Sequence, residues 1–278
     1  MSATRRPSSR QSKPGYRITP SLLAKWTDLV NADLNYEQFW GNADEPSKTP
    51  EEYYKECEQA LLDACNRVPF VSEAASKGTA LNELVDCLVD RRKQREDMAV
   101  ERFYEQDGCD NSNVVALRAD LDGFSFLFDV NLVRELAGYF IGATCQHRCE
   151  ATIDTSFGPV ILYGDADYII RDVVYDLKTT SKYSSYGNFS DGWQKDLYPW
   201  ALIESGEMND VSGFEYTIVP LTVANGAFPL ITGTIYREWY DYNHQAAESR
   251  LRAAVEPFIE WIEEHRDSIT HHRIFNQI

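Results

Sequence analysis

The chain has 278 residues with 44 acidic side chains against 27 Lys and Arg, a formal net charge of −17. That balance excludes a protein whose affinity comes from a broad basic surface, although a local basic groove inside an acidic exterior stays open. A hydrophobic content of 43% supports a sizeable core. With no apolar run of about eighteen residues and no apolar leader, the expectation is a cytoplasmic protein without membrane contact. The six cysteines, at 57, 65, 87, 109, 145 and 149, form no paired framework and read as reduced thiols.

Residues 1–17, rich in Ser, Arg and Lys with Pro7 and Pro14, read as a disordered basic arm, and 18–278 as one domain. Ile18-Thr19-Pro20-Ser21 starts a helix that buries Leu22, Leu23, Trp26 and Leu29, with Thr19 as cap and Pro20 at the first position. After a polar loop over 41–50, Thr49-Pro50-Glu51-Glu52 opens the next helix in the same way. A helix over roughly 74–95 carries Leu81, Leu84, Val85 and Leu88 at helical spacing and ends in Arg91-Arg92-Lys93. A region around Gly108 and Asn111–Asn113 shows no clear pattern, and a helix over about 129–140 follows it. Residues about 18–142 thus form a helical part.

The pattern changes after Gly142. Residues 145–155, 159–170 and 173–180 alternate or run β-branched, which predicts three strands of a meander with turns at Ser156–Pro159 and Arg171-Asp172. A helix through Gln194, Leu197, Tyr198, Ala201 and Leu202 comes next. Strands over 212–220 and 229–236 precede an amphipathic helix near 241–267. The fold class expected is α/β in the α+β sense, a mixed sheet over about 143–240 flanked by helices. The C-terminal helix, with Leu251, Val255, Phe258, Ile259 and Ile262, reads as a packing helix or a homo-oligomer surface.

The chemistry concentrates in Gly164–Lys178. Side chains alternate along a strand, so Asp176 and Lys178 share a face. A tight turn at Arg171-Asp172 sets Ile170 opposite Val173, Asp167 opposite Asp176 and Asp165 opposite Lys178. Opposed carboxylates weaken a hairpin unless a cation neutralises them, and carboxylate and carbonyl oxygens suit Mg²⁺. Taken alone, Asp-x-Lys on a strand describes an ordinary surface salt bridge. Here the flanking Val-Val-Tyr and Leu177 mark a strand buried on its other face, where charges need a reason.

The ordered set Gly164-x-x-Asp167, Asp176-Leu177-Lys178-Thr179-Thr180 and Gln194-x-x-x-Tyr198 resembles the signature of RecB-like nucleases of the PD-(D/E)XK superfamily. Upstream, Lys77-Gly78-Thr79-Ala80-Leu81-Asn82 is similar to that family's Gly-Thr-x-x-His helix, and Ile18-Thr19-Pro20-Ser21-x-Leu23 to its entry segment. The resemblance covers residues 18–202 and implies a restriction-endonuclease-like core with an N-terminal helical elaboration. It implies a Mg²⁺-dependent DNA nuclease, a phosphodiester hydrolase in which Mn²⁺ can substitute, acting as an exonuclease in recombination or repair. Asp167 and Asp176 would ligate the metal with the carbonyl of Leu177, Lys178 would position or deprotonate the attacking water, and Gln194 and Tyr198 would orient the site or touch the DNA backbone. Phage-type relatives work beside a single-strand annealing protein, which makes a recombination protein a candidate partner.

One position departs from the family. Asn82 stands where RecB-like enzymes place a metal-binding His; its amide oxygen can still coordinate, and Glu83 or Asp86 could reach in from the same helix. Glu150, on the strand before the hairpin, is a further candidate ligand. The substitution, with the acidic charge, also keeps open a catalytically degenerate nuclease fold that binds nucleic acid or a protein partner. Cys145-x-His147-x-Cys149 lacks a fourth zinc ligand and reads as buried thiols. No Cys lies beyond Cys149, so no iron–sulfur cluster is expected. His271-His272 reads as a solvated helix end.

Overall fold

The computed structural model describes residues 15–41, 43, 45–104, 113–224 and 229–275. In chain order its elements begin with strand β1 (Tyr16–Ile18), helices α1 (Pro20–Val30), α2 (Ala32–Trp40), α3 (Pro50–Cys65) and α4 (Glu73–Val89), then strands β2 (Ala99–Tyr104), β3 (Val114–Leu121) and β4 (Phe124–Asp129). Helix α5 (Val130–Tyr139) leads to strands β5 (Thr144–Thr155), β6 (Gly158–Ile170) and β7 (Val173–Thr180) and helix α6 (Gln194–Glu204). Strands β8 (Gly213–Ala224), β9 (Leu230–Gly233) and β10 (Tyr236–Asp241) precede helix α7 (His244–Glu264). Helices and mixed β pairing make this an α+β chain. None of the described helices is long and apolar enough to cross a membrane.

The chain forms two compact units, the first made from the described parts of Met1–Val68, Glu150–Tyr163 and Glu248–Ile278. Thr19 accepts from the Leu22 amide and Pro20 follows it, so α1 starts where the cap and the fixed proline φ put it. Thr49 and Glu52 make a reciprocal capping box at α3. Trp26 stacks on Phe258 at 5.6 Å, and Leu251, Val255, Phe258, Ile259 and Ile262 of α7 are all fully buried. β1 runs parallel to β6, with Tyr16 paired to Val160 and Ile18 to Leu162. Tyr16 and Arg17, which composition assigns to the basic arm, are therefore strand residues; residues 1–14 of that arm lie outside the described residues.

The second unit, Pro69–Cys149 with Gly164–Ala247, carries the residues singled out by the sequence, Glu150 excepted. Its strands run in the order β6-β7-β8-β9-β4-β3-β2, with β10 on β8. β7 lies parallel to β8 from Val173–Gly213 to Thr180–Pro220 and antiparallel to β6. Beyond Pro220, β8 turns to β9 as its antiparallel neighbour. The core joins Leu81, Leu84 and Val85 of α4, Phe126 and Phe128 of β4, and Val133 and Leu136 of α5 with Phe140, Tyr168, Leu177 and Val219. Phe140 stacks on the Tyr168 ring at 3.8 Å, anchoring β6 against the end of α5.

Several boundaries differ from expectation. The helix predicted to reach residue 95 stops at Val89, so Arg91-Arg92-Lys93 belong to a turn, and Leu88 is 47% exposed rather than core. The unpatterned region before α5 holds β2, β3 and β4; residues 105–112, with Gly108, Asn111 and Cys109, lie outside the described residues. The strand expected over 229–236 is two strands, β9 and β10.

Two glycines position the site by absence of a side chain. At Gly164 a Cβ would lie 2.6 Å from the Tyr198 ring, and at Gly78 it would run into Thr179 Oγ1, so α6 and α4 approach β6 and β7 closely only there. Gly164→Ala should destabilise the protein by about 1–3 kcal/mol, because the buried ring has nowhere to move. In urea unfolding, Gly164→Ala with Tyr198→Leu should cost less than the sum of the single changes; additive costs would show that the ring is not the obstacle.

Candidate functional site

Arg171 adopts φ 56°, and the tight turn it makes with Asp172 aligns Ile170 with Val173, Ile169 with Val174 and Tyr168 with Tyr175. This is the register expected from the sequence. Pairing then stops. In place of a strand–strand bond, the Asp167 carboxylate accepts the Leu177 amide proton at 2.8 Å. Asp167 and Asp176 flank the point where the ladder opens.

Asp176 is 3% exposed, and its Oδ1 accepts from Gln194 Nε2 at 3.0 Å. Its Oδ2 lies 2.7 Å from Lys178 Nζ but outside hydrogen-bond alignment, so the pair is held by charge while that oxygen has no aligned donor. Gln194, the first residue of α6, is steadied by the Tyr216 hydroxyl, 3.5 Å from its Oε1. Tyr198 is buried with its ring against Gly164. Burial, then the nearby Asp176 and Asp167 charges, raise its hydroxyl pKa, so it stays protonated. Asp165 departs from expectation: its carboxylate is exposed and faces Arg148 at 3.4 Å, leaving Lys178 to Asp176.

Helix α4 brings Asn82, Glu83 and Asp86 to the same cleft. Ser72 caps this helix, and Asn82 and Asp86 lie one turn apart on one side. Buried Asp86 accepts from the Tyr168 hydroxyl at 2.6 Å and from Gln146 Nε2 at 3.1 Å, with Arg92 Nη2 at 3.5 Å. The same Gln146 amide reaches Asp167 Oδ1 at 3.4 Å. Gln146 adopts φ 48° inside β5, a left-handed conformation disfavoured for any residue but glycine, and its amide spans both carboxylates. The cleft, about 270 Å³, is lined by these groups together with Thr79, Arg92 and Arg95.

Electrostatically the cleft is unfinished. Burial first, then the Asp176 charge, raises the Asp167 pKa; burial also raises that of Asp86. The neutral donors from Gln146, Tyr168 and Leu177 satisfy hydrogen bonds without cancelling charge. Asn82 Oδ1 is buried with no hydrogen-bond partner, which costs about 1–3 kcal/mol unless something else satisfies it. The unpartnered Asn82 oxygen, the Asp176 oxygen paired only by charge with Lys178, and two desolvated carboxyls form a donor set that suits a hard divalent cation. Among the described residues no three Asp, Glu, His or Cys side chains converge closely enough to hold a metal by themselves. Mg²⁺ commonly needs only one or two carboxylates, the remainder being carbonyl or water oxygens. Glu150 belongs to the first unit and pairs with Arg17 at 2.8 Å. His147 takes Glu207 at 2.6 Å, and the Cys149 thiol is buried.

Gln146 is a polar residue in an alternating strand and carries no sequence signal of this role. Arg92 stands in the sequence only as part of a charged helix end, and Arg95 bears no mark at all. Arg92 instead lies in the wall, bound to Glu83 through two nitrogens at 2.7 and 2.8 Å.

No family model matches the chain, and no curated protein matches it in sequence. Among solved structures it is similar to the crystal structure of SSO0001, at 12% identity with a TM-score of 0.36, over 88% of this chain and 77% of that one. It is also similar to Rai1 of Scheffersomyces stipitis, at 14% identity with a TM-score of 0.24, over 92% of this chain and 63% of that one. At such TM-scores neither likeness bears on fold or chemistry.

A carboxyl with a raised folded-state pKa favours the fold below its ordinary pKa near 4 and loses that contribution as pH rises through the raised value. At neutral pH Asp167 therefore opposes folding when no cation is bound. Asp167→Asn should raise the stability of the metal-free protein at pH 7.5 by on the order of 1 kcal/mol, with the gain shrinking as pH falls toward 4. Chemical denaturation across that range tests it; a loss of stability at pH 7.5 would show that the carboxylate is already compensated.

Proposed function

We propose that the chain is a Mg²⁺-dependent nuclease with a restriction-endonuclease-like core, hydrolysing DNA phosphodiester bonds as a RecB-like exonuclease. The observation that carries this reading is the Asp176–Lys178 pair beside Asp167 in a desolvated cleft where Asn82 Oδ1 and Asp176 Oδ2 lack donors. Asp167, Asp176, the Leu177 carbonyl, Asn82 and Asp86 are the groups that would hold the ion. When bound, Mg²⁺ supplies Lewis-acid polarisation of the phosphoryl oxygen and lowers the pKa of water.

The protein groups do the positioning. Gln194 fixes Asp176 through Oδ1 and leaves Oδ2 turned toward Lys178. The Lys178 ammonium, held by that carboxylate, orients the attacking water and stabilises charge gathering on the phosphoryl oxygens. Tyr198, protonated and wedged on Gly164, keeps α6 and therefore Gln194 at a set distance from β6.

The test is cleavage of end-labelled linear and closed circular DNA with Mg²⁺, Mn²⁺ or EDTA. The expected outcome is metal-dependent loss of linear DNA, reduced about a hundredfold or more by Asp176→Ala or Lys178→Ala while circular dichroism and a cooperative unfolding transition show that the fold is retained. Cleavage at the wild-type rate by a verified Asp176→Ala preparation would overturn the assignment. DNA binding without turnover under any divalent ion would mark the fold as a degenerate nuclease.

A further inference from the structure

Helix α4 ends at Val89, and the next residues, Asp90-Arg91-Arg92-Lys93-Gln94-Arg95, place four cations within five positions of a chain whose net charge is −17. This turn is built rather than loose. Buried Glu83 binds both terminal nitrogens of Arg92 and also accepts the Arg95 backbone amide at 2.7 Å. The Arg92 amide donates to the Cys87 carbonyl at 3.1 Å, and Arg91 is held at φ 53°. A strained backbone pinned by a buried carboxylate is what a fixed display of side chains requires.

The four cations are not equivalent. Arg92 is neutralised by Glu83, and Arg95 by Asp97 at 2.7 Å; both line the cleft beside Asp86 and Asp167. Arg91 and Lys93 are exposed and make no ion pair among the described residues. Two exposed cations flanking Arg92, in the same turn as the cleft-lining Arg92 and Arg95, offer complementarity to a ligand that is anionic outside the cleft and meets the carboxylates only across a cation. A phosphodiester chain has that form.

We propose that the Arg91–Arg95 turn is a docking surface for the sugar-phosphate backbone of nucleic acid, with Arg91 and Lys93 each engaging a phosphate next to the one in the cleft. This deepens the nuclease reading and rests on it. Glu83 is then a positioning residue, setting the turn through Arg92 and the Arg95 amide.

The experiment measures binding of a fluorescein-labelled single-stranded oligonucleotide by anisotropy from 50 to 200 mM salt, with Mg²⁺ and in the Lys178→Ala background. Arg91→Ala/Lys93→Ala is compared with Lys55→Ala/Arg102→Ala, which removes the same charge from exposed positions elsewhere. Expected is about a tenfold loss of affinity at low salt for the first pair alone, with a salt slope shallower by about 1.4, or about 0.7 for each lost phosphate contact. Thermal unfolding of both double variants should match the parent. Equal losses in the two double variants would reduce the effect to net charge and overturn the proposal. Unchanged binding by Arg91→Ala/Lys93→Ala, with wild-type protein still cleaving DNA, would overturn it while leaving the nuclease reading intact. Neither binding nor cleavage by wild-type protein would remove the nuclease reading, and this inference with it.

Discussion

Where β6 and β7 stop pairing, the Asp167 carboxylate takes the Leu177 amide proton that a neighbouring strand would otherwise accept. The arrangement of the site follows from that exchange. A buried amide needs an acceptor, so Asp167 is held at the opening of the ladder, and a carboxylate held there cannot withdraw to solvent. Burial and the adjacent Asp176 make its charge unfavourable. The hairpin is thus kept in a state that is structurally satisfied and electrostatically strained, and under the proposed reading a bound cation would relieve that strain.

The surrounding groups divide into those that cancel charge and those that only direct it. Lys178 and Arg92 cancel, Lys178 on Asp176 and Arg92 on Glu83. Gln146, Gln194 and the Tyr168 hydroxyl direct, holding Asp86, Asp167 and Asp176 in place while adding no positive charge. The core supports this division. The Tyr168 ring is stacked under Phe140 and its hydroxyl ends on Asp86, so packing of β6 against α5 also sets the height of a carboxylate on α4. A polar network anchored by a fully buried ring is stiff in a way that surface pairs are not.

Much of this was legible in the residues. The turn at Arg171-Asp172 and the register after it followed from period-two alternation, because one face of β7 had to be apolar. The caps at Thr19 and Thr49 were legible because Thr-Pro suits the first helical positions. The pairing of Lys178 with Asp176 rather than Asp165 was not, since register fixes which face a side chain leaves from, not where a long one ends. Strands β2 and β3 went unseen because charged residues and Ala interrupt their alternation, whereas β4, Phe-Ser-Phe-Leu-Phe-Asp, carries a period-two pattern that could have been read. Gln146 carries no local mark: its role depends on a left-handed backbone that only tertiary packing selects. Gly78 and Gly164 were visible as motif letters, and their reason, close passage of Thr179 and Tyr198, needed coordinates.

The donor chemistry also bears on which ion the cleft would select under the proposed reading. Asn82, Asp86, Asp167 and Asp176 offer oxygen only, and an amide at position 82 in place of imidazole removes the one nitrogen ligand the family resemblance implies. The softer groups nearby are less disposed to bind. Burial pushes the Cys87 thiol up to about 11 and the Cys145 thiol to about 12, so a soft ion would have to displace a tightly held proton, and the His147 ring is engaged by Glu207. Zinc favours thiolate and imidazole, whereas Mg²⁺ and Mn²⁺ favour carboxylate, carbonyl and water. Under the proposed reading, four oxygen-bearing side chains would therefore favour Mg²⁺ or Mn²⁺ over zinc by ligand hardness before geometry enters.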